Sequence, residues 1–177
     1  MIAPSELIIN PDGSCFHLHL KPEQLADKII MVGDPDRVNT VASYFDTKEC
    51  EVSSREFHTI TGTYKGKRIT TLSHGIGTDN IDIVLNELDA LANIDFASRT
   101  IKPEFRQLTM VRVGTSGGLQ PFVPVGTYVA AGKSIGFDGV LYFYAGSEEV
   151  RDKAFESELI RQLEWKLNGI KPYVVSA

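Results

Sequence analysis

The segment Lys28-Ile29-Ile30-Met31-Val32-Gly33-Asp34-Pro35-Asp36-Arg37 joins a predicted strand to a predicted helix. The apolar run that ends at Val32 is typical of a buried strand, and Gly33 predicts a turn directly after it. Acidic residues and a proline then stand in the first turn of the expected helix, where they are favoured. The helical spacing continues in Val38, Val41, Ala42 and Phe45.

The rest of the chain alternates between predicted strands and predicted helices. Further elements are predicted at 59–64 and 68–72 (a hairpin), 81–92 (a helix), 109–113 and 126–131 (strands), 155–167 (a helix) and 172–175 (a strand). The 109–113 strand is expected in the interior of the sheet, and the 155–167 helix is predicted from Phe155, Leu159, Leu163 and Leu167. Strands that alternate with helices indicate an α/β fold with a largely buried sheet.

The composition indicates one ordinary globular domain. The chain has 177 residues, 42% of them hydrophobic, and a net charge of −5. No run is long and apolar enough for a membrane span, and no basic patch favours nucleic-acid binding. The two cysteines, Cys15 and Cys50, suit neither a disulfide framework nor a metal motif. We therefore expect a cytoplasmic protein with neither membrane nor nucleic acid as a partner.

The end of the sequence is unusual for this fold class. Residues 176–177 follow directly after a strand that is expected to lie inside the sheet. Ligands of open α/β sheets bind beyond the carboxyl ends of strands, where the next loop would begin. We therefore expect residues 1–177 to be the N-terminal part of a single domain, incomplete at the C-terminus.

The strongest candidates for chemistry are Arg37, Arg55 and Arg112, which stand beside turn glycines or strand ends. Guanidinium groups bind phosphate oxygens bidentately, and backbone N–H groups of a glycine turn add further donors. Any one arginine is more often a solvated surface residue. Arg112 differs because it interrupts an apolar strand, so we expect it to meet a ligand or a buried partner.

Other familiar motifs are incomplete. Gly75-Ile76-Gly77 lacks the third glycine of the dinucleotide fingerprint, and Gly114-Thr115-Ser116-Gly117-Gly118 lacks the lysine of a P-loop. The histidines show no metal-ligand spacing, so we interpret most of them as structural; they are His17, His19, His58 and His74. The residues alone thus predict an α/β domain with an anion site.

Several short motifs resemble the nucleoside phosphorylase family in order and approximate spacing, and together they cover nearly the whole chain. They are Phe16-His17-Leu18, Gly33-Asp34-Pro35-Asp36-Arg37, Arg55-Glu56-Phe57, Ser73-His74-Gly75-Ile76-Gly77 and Arg112-Val113-Gly114-Thr115-Ser116-Gly117-Gly118. The resemblance implies a phosphorylase/hydrolase-like fold, with a mixed central β-sheet flanked by helices.

The resemblance also implies a phosphate site. Gly33, Arg37 and Arg112 would grip inorganic phosphate, the co-substrate. Thr115 would bridge phosphate and ribose, which makes Arg112 and Thr115 the predicted catalytic residues. Arg55 would reach the phosphate bound by a neighbouring subunit.

The nucleoside would be held by residues of two subunits. His17 would contact the 5′-hydroxyl of the ribose bound by the neighbour, with Phe16 beside it. Thr115 would contact the ribose, and Ser116 and Gly117 would lie near the base. The resemblance therefore implies at least a homodimer, and family members often form a hexamer as a trimer of dimers.

A cation is the one further ligand that the resemblance implies. In uridine phosphorylases, a glutamate that matches Glu56 and the backbone at Ile76 help to hold a monovalent cation, K⁺, between subunits. Asn80 stands where those proteins usually carry serine. No other cofactor is expected.

The implied reaction is that of a pentosyltransferase, in which phosphate attacks C1′ of a nucleoside as the glycosidic bond breaks. We expect uridine as the substrate, with purine nucleosides as the alternative. A hydrolytic nucleosidase would not need the phosphate arginines. A non-catalytic homologue that only binds phosphate or nucleoside is the remaining alternative, because family members continue beyond this point with segments that bind base and ribose.

Overall fold

A computed structural model describes residues 1–166 and 169–176 of the chain. These residues form two compact units, Met1–Thr115 and Ser116–Ala177. The prediction that both are parts of a single domain stays a prediction. In the described ranges, no helix has the length and apolar character that a membrane crossing requires.

A five-stranded mixed sheet forms the centre of the first unit, in the order β2-β3-β4-β1-β7. Its strands are β1 (Lys28–Val32), β2 (Thr47–Ser54), β3 (Phe57–Tyr64), β4 (Lys67–Ser73) and β7 (Thr109–Arg112). Strand β1 runs parallel to β4 and β7, whereas β3 is antiparallel to β2 and β4. A separate short hairpin pairs β5 (Ile94–Asp95) with β6 (Thr100–Ile101). The predicted α/β fold with a mixed central sheet is confirmed.

Two helices flank this sheet. Helix α1 (Pro35–Ala42) begins at Asp34, whose side chain accepts a hydrogen bond from the backbone N–H of Asp36. It ends at Ala42, so Phe45 follows the helix instead of extending it. Helix α2 (Thr78–Asn93) contains the segment predicted from its apolar spacing.

The core lies on both faces of β1, because successive side chains of a strand point to opposite sides. Ile29 and Met31 belong to the larger buried cluster, together with Leu88 of α2. Val32 belongs to a second cluster, which it shares with Val38 of α1. The two helices therefore cover opposite faces of the sheet.

Strand β7 departs from the prediction of an interior strand. It lies at the edge of the sheet, and no described strand pairs with its outer side. All four of its residues are exposed, including Met110 and Val111. The apolar sequence of β7 suggested burial, but its position in the sheet leaves one side uncovered. The opposite edge strand, β2, carries the charged residues Lys48, Glu49 and Glu51, which are typical of a solvent-facing edge.

Among its described residues, the second unit contains a two-stranded antiparallel sheet, two α-helices and one 3₁₀ helix (Val140–Phe143). Strand β8 (Lys133–Gly136) pairs with β9 (Tyr173–Ser176), and the helices are α3 (Ser147–Val150) and α4 (Lys153–Gln162). The strand predicted at 172–175 is therefore present, but it pairs with β8 and not within the central sheet.

Two predictions for the second unit need correction. Residues 126–131 form no strand; Thr127 instead donates its backbone N–H to Pro124 in a turn, and Gly126 has a φ of 92°. The β-branched and aromatic composition of this segment favours a strand, but the backbone leaves the extended conformation at Gly126. Helix α4 ends at Gln162 and Leu163 is its C-cap residue, so the helix is shorter than the predicted 155–167. Leu167 lies outside the described residues.

The two cysteines differ in burial, from which we expect a difference in reactivity. Cys15 is fully buried, and burial raises the pKa of its thiol far above the ordinary value. Cys50 is only half-buried on β2. Because the thiolate is the reactive species, we expect an alkylating reagent to modify Cys50 in the native protein and both cysteines after unfolding. Intact-mass analysis before and after denaturant measures this; equal rates of modification at both sites in the native protein would contradict the buried position of Cys15.

Candidate functional site

A cavity of about 900 Å³ lies in the first unit, beyond the carboxyl ends of the parallel strands β1, β4 and β7. Strand order and direction explain its position, since loops that follow parallel strands meet at one edge of a sheet. Its lining comes from Gly33, Asp34, Pro35, Arg37, Glu56, His74, Gly75, Ile76, Gly77, Asn80, Ile81, Arg112 and Thr115.

The cavity brings together most of the predicted phosphate residues. Gly33 follows β1, Arg37 lies in the first turn of α1, and Arg112 and Thr115 come from the end of β7 and the loop after it. They are far apart in sequence and meet in the same lining. Their role in binding phosphate stays a prediction.

Both arginines of the lining are available for an anion. Among residues 1–166 and 169–176, neither Arg37 nor Arg112 forms an ion pair with a carboxylate. The carboxylates of the lining have other partners: Asp34 accepts from the backbone N–H of Asp36, and Glu56 accepts from Asn80. Two unpaired guanidinium groups beside a helix N-terminus can bind a phosphate-sized anion.

Arg112 has a histidine as its partner. Its Nε–H donates to Nε2 of His74, with a distance of 2.9 Å between the two nitrogens. The sequence predicts a ligand or a buried partner for Arg112, and His74 is such a partner, although Arg112 itself is exposed because β7 is an edge strand. The imidazole, by contrast, is only 3% exposed. Burial lowers the pKa of His74, and the nearby Arg112 charge lowers it further, so the ring stays neutral and accepts the hydrogen bond.

The residues predicted for a monovalent cation also line this cavity. Nδ2 of Asn80 lies 2.8 Å from Oε1 of Glu56, so the amide donates to the carboxylate that the cation would need. Hydrogen bonds from the backbone N–H of Glu56 and from Asn80 lower the pKa of Glu56. Gly75 is required beside this pair, because a Cβ there would come within 2.8 Å of both side chains. The cation at Glu56, Ile76 and Asn80 stays a prediction.

Arg55, Phe16 and His17 do not line this cavity. The Arg55 guanidinium carbon lies 5.7 Å from the centre of the Phe16 ring, and the Phe16 and His17 rings meet edge to face at 4.8 Å. Nδ1 of His17 lies 2.7 Å from Oε1 of Glu87, whose carboxylate also accepts the backbone N–H of His17. Phe16 and His17 line a second cavity of about 540 Å³. The three predicted residues therefore lie together, outside the lining that contains Arg37 and Arg112.

Arg55 lies in the tight turn between β2 and β3 with a φ of 54°. A non-glycine residue rarely adopts a positive φ, and such residues are often found at functional sites.

Ser116 and Gly117, the residues predicted near the base, belong to the second unit and are exposed.

His74 is the site residue that the sequence interpretation missed, because it was grouped with histidines expected to be structural. A usable signal was present: His74 directly follows β4, as Gly33 follows β1 and Val113 follows β7. Residues at the carboxyl ends of adjacent parallel strands are candidates for a shared site.

In the described ranges, no group of three or more His, Cys, Asp or Glu side chains could hold a metal ion.

The sequence and the fold both match known nucleoside phosphorylases. Uridine phosphorylase of Haemophilus influenzae is 31% identical over 161 residues, which are 90% of this chain and 58% of that protein. The DeoD-type purine nucleoside phosphorylase of Levilactobacillus brevis is 37% identical over 116 residues, 65% of this chain and 44% of that protein. The crystal structure of Trypanosoma brucei nucleoside phosphorylase, which shows uridine phosphorylase activity, superposes with a TM-score of 0.81 at 34% identity, covering 97% of this chain and 57% of that one.

The chain thus spans about half the length of these proteins, between 44% and 58%. The model of the phosphorylase superfamily matches residues 27–175, which include β1, the residues that line the first cavity and all of β9 except Ser176. This match covers most of the described structure, so the chain belongs to the phosphorylase superfamily.

Proposed function

We propose that this protein is a nucleoside phosphorylase that cleaves uridine with inorganic phosphate, and that the first cavity is its phosphate site. One observation carries the proposal: Arg37 and Arg112, from separate elements, reach one cavity without a carboxylate partner among the described residues. Unpaired guanidinium groups at the carboxyl ends of parallel strands suit a small dianion.

The chemistry requires no covalent intermediate with the protein. A phosphate oxygen forms a bond to C1′ of the ribose while the bond from C1′ to the base nitrogen breaks, and its electron pair leaves with the base. The uracil anion takes up one proton at that nitrogen, which balances the proton that the new phosphate ester releases to solvent, so the products are ribose 1-phosphate and neutral uracil. Arg37 and Arg112 hold the phosphate dianion, whose negative charge stabilises the positive charge that develops on the ribose.

The active unit in this proposal contains at least two copies of the chain. Phe16 and His17 line a separate cavity and the Arg55 guanidinium lies over the Phe16 ring, so none of the three lines the phosphate cavity of its own chain. A neighbouring copy would supply these three residues. A homodimer, or a hexamer built as a trimer of dimers, would satisfy this requirement. We place the assembly in the cytoplasm.

Purine nucleosides are the second candidate substrates. The relative from Levilactobacillus brevis, a purine nucleoside phosphorylase, is 37% identical to this chain over the matched residues. Uridine is favoured because the match to the Haemophilus influenzae uridine phosphorylase covers more of this chain, 90% against 65%.

The test is the release of free base by the purified protein, measured by chromatography with uridine or inosine, with and without phosphate. We expect uracil and ribose 1-phosphate from uridine, in equal amounts and only with phosphate. Phosphate-dependent release of hypoxanthine from inosine, without release of uracil from uridine, would transfer the proposal to purine nucleosides. Base release that does not depend on phosphate would indicate a nucleosidase and contradict the proposal.

A protein without turnover in this assay would contradict catalysis by this chain, and phosphate binding then becomes the deciding measurement. We expect millimolar phosphate to raise the melting temperature, because a ligand that binds only the folded state stabilises it. Sulfate and chloride at equal ionic strength are the controls for a general salt effect. If phosphate raises the melting temperature no more than the control salts do at the same ionic strength, the phosphate site is excluded as well.

A further inference from the structure

We propose that His74 is a positioning residue for Arg112, and that it acts by fixing the direction of the guanidinium group at the phosphate site. The inference rests on the proposed function, since it assigns His74 a role only if Arg112 binds phosphate. The carrying observation is the hydrogen bond from Nε of Arg112 to Nε2 of His74, at 2.9 Å.

The two partners differ in how firmly they are held. His74 is only 3% exposed, and its backbone N–H donates to the carbonyl of Val32, which ties it to β1. Its ring carbon Cε1 lies 3.9 Å from the position that a Cβ on Gly33 would take, so the ring packs against the turn after β1. Arg112, by contrast, is an exposed residue of an edge strand.

An exposed arginine has many rotamers, and restricting them on binding a ligand costs conformational entropy. A hydrogen bond to a fixed acceptor removes part of this freedom before the ligand arrives. Only Nε is engaged by His74, so the N–H groups on both terminal nitrogens of the guanidinium remain for an anion. This arrangement pre-organises the bidentate group without neutralising its charge.

Neutral imidazole is suited to this task. A carboxylate in the same place would also accept the Nε–H, but it would pair with the guanidinium and repel phosphate. When Nε2 accepts, the proton of the neutral ring is on Nδ1. This atom is buried and has no hydrogen-bond partner among the described residues, so the contact with Arg112 is the one side-chain hydrogen bond of the ring in this part of the chain.

The experiment measures phosphate affinity by titration calorimetry for His74 variants in two backgrounds. His74→Phe keeps a planar ring but removes the acceptor, and we expect phosphate to bind about 10-fold more weakly, as for a lost hydrogen bond to a charged group. His74→Gln carries an acceptor at nearly the same reach and should restore affinity to within about 3-fold of the wild type. In the Arg112→Ala background, His74→Phe should have almost no further effect.

Each failure has its own signature. If Arg112→Ala leaves phosphate affinity unchanged, the proposed phosphate site is wrong. If Arg112→Ala weakens binding but His74→Phe acts equally in both backgrounds, His74 does not act through Arg112 and the inference is overturned. Should His74→Phe fail to fold, His74→Gln and His74→Asn form the test pair, because the asparagine is too short to reach Arg112. Equal affinities for that pair would also overturn the inference.

Discussion

Replacement of Arg112 by alanine is expected to weaken phosphate binding about 100-fold, the loss of a bidentate pair of charge-assisted hydrogen bonds worth about 3 kcal/mol. Arg112 has no carboxylate partner in the described ranges, so the variant leaves no unpaired acidic group behind. Because Arg112 is exposed on β7, we expect the folded state to lose only the hydrogen bond to His74, about 1 kcal/mol. Calorimetric titration with phosphate, together with the melting temperature of the ligand-free variant, measures both effects.

Two further variants separate charge from geometry. Arg112→Lys keeps the positive charge but loses the guanidinium fork and the Nε–H that His74 accepts, so we expect an intermediate affinity. Arg161→Ala removes the same kind of side chain from the exposed surface of α4 and should leave phosphate affinity unchanged. If Arg161→Ala weakens binding as much as Arg112→Ala does, phosphate responds to net charge alone and the cavity is not its site.

The first half of the fold could be predicted because its signals are local. The apolar run at β1, the turn at Gly33 and the acidic cap at Asp34 all act within a few residues of each other. The hairpin around Gly66 and the amphipathic helix α2 are equally local. In each case the pattern that predicts the element also stabilises it, so sequence and structure agree.

Strand pairing could not be predicted in the same way. The sequence of β7 is apolar enough for an interior strand, but its environment depends on whether another strand pairs with its outer side. Likewise, 126–131 has a strand-like composition and no strand partner, whereas Lys133–Gly136 pairs with β9 about forty residues later. Pairing over such distances depends on tertiary contacts that local propensity does not contain.

Site residues that stand at the end of a strand or turn could be predicted from the sequence. A residue whose role depends on a hydrogen bond to another site residue could not. Arg37 and Arg112 were singled out as guanidinium groups at strand or turn ends, and the cavity brings them together. The role of His74 depends on a single side-chain hydrogen bond between β4 and β7 segments that are thirty-eight residues apart. No spacing rule encodes such a contact, and its buried acceptor became visible only in the structure.

Gly62→Ala is expected to lower the free energy of unfolding by about 3 kcal/mol, at the upper end of the usual cost of overpacking. Gly62 lies on the interior strand β3, opposite Lys48, where the register with β2 shifts between Lys48 and Cys50. A Cβ at this position would lie 2.1 Å from the carbonyl oxygen of Thr47 and 2.8 Å from the Phe45 ring. The oxygen belongs to the backbone of a paired strand, so it cannot rotate away as a side chain can.

The matched control is Gly66→Ala, in the turn that connects β3 to β4. Gly66 has a φ of 72° but nothing within 4 Å of the added Cβ. The free energy of unfolding of its variant should therefore fall by only about 1 kcal/mol, the strain of an alanine in the left-handed region. Urea denaturation followed by circular dichroism compares the two within one hairpin. A larger loss at Gly62 identifies close backbone approach, and not backbone conformation, as the reason for glycine there. Equal losses would mean that β2 can move away from β3, and that the irregularity between Lys48 and Cys50 is not a fixed feature of the sheet.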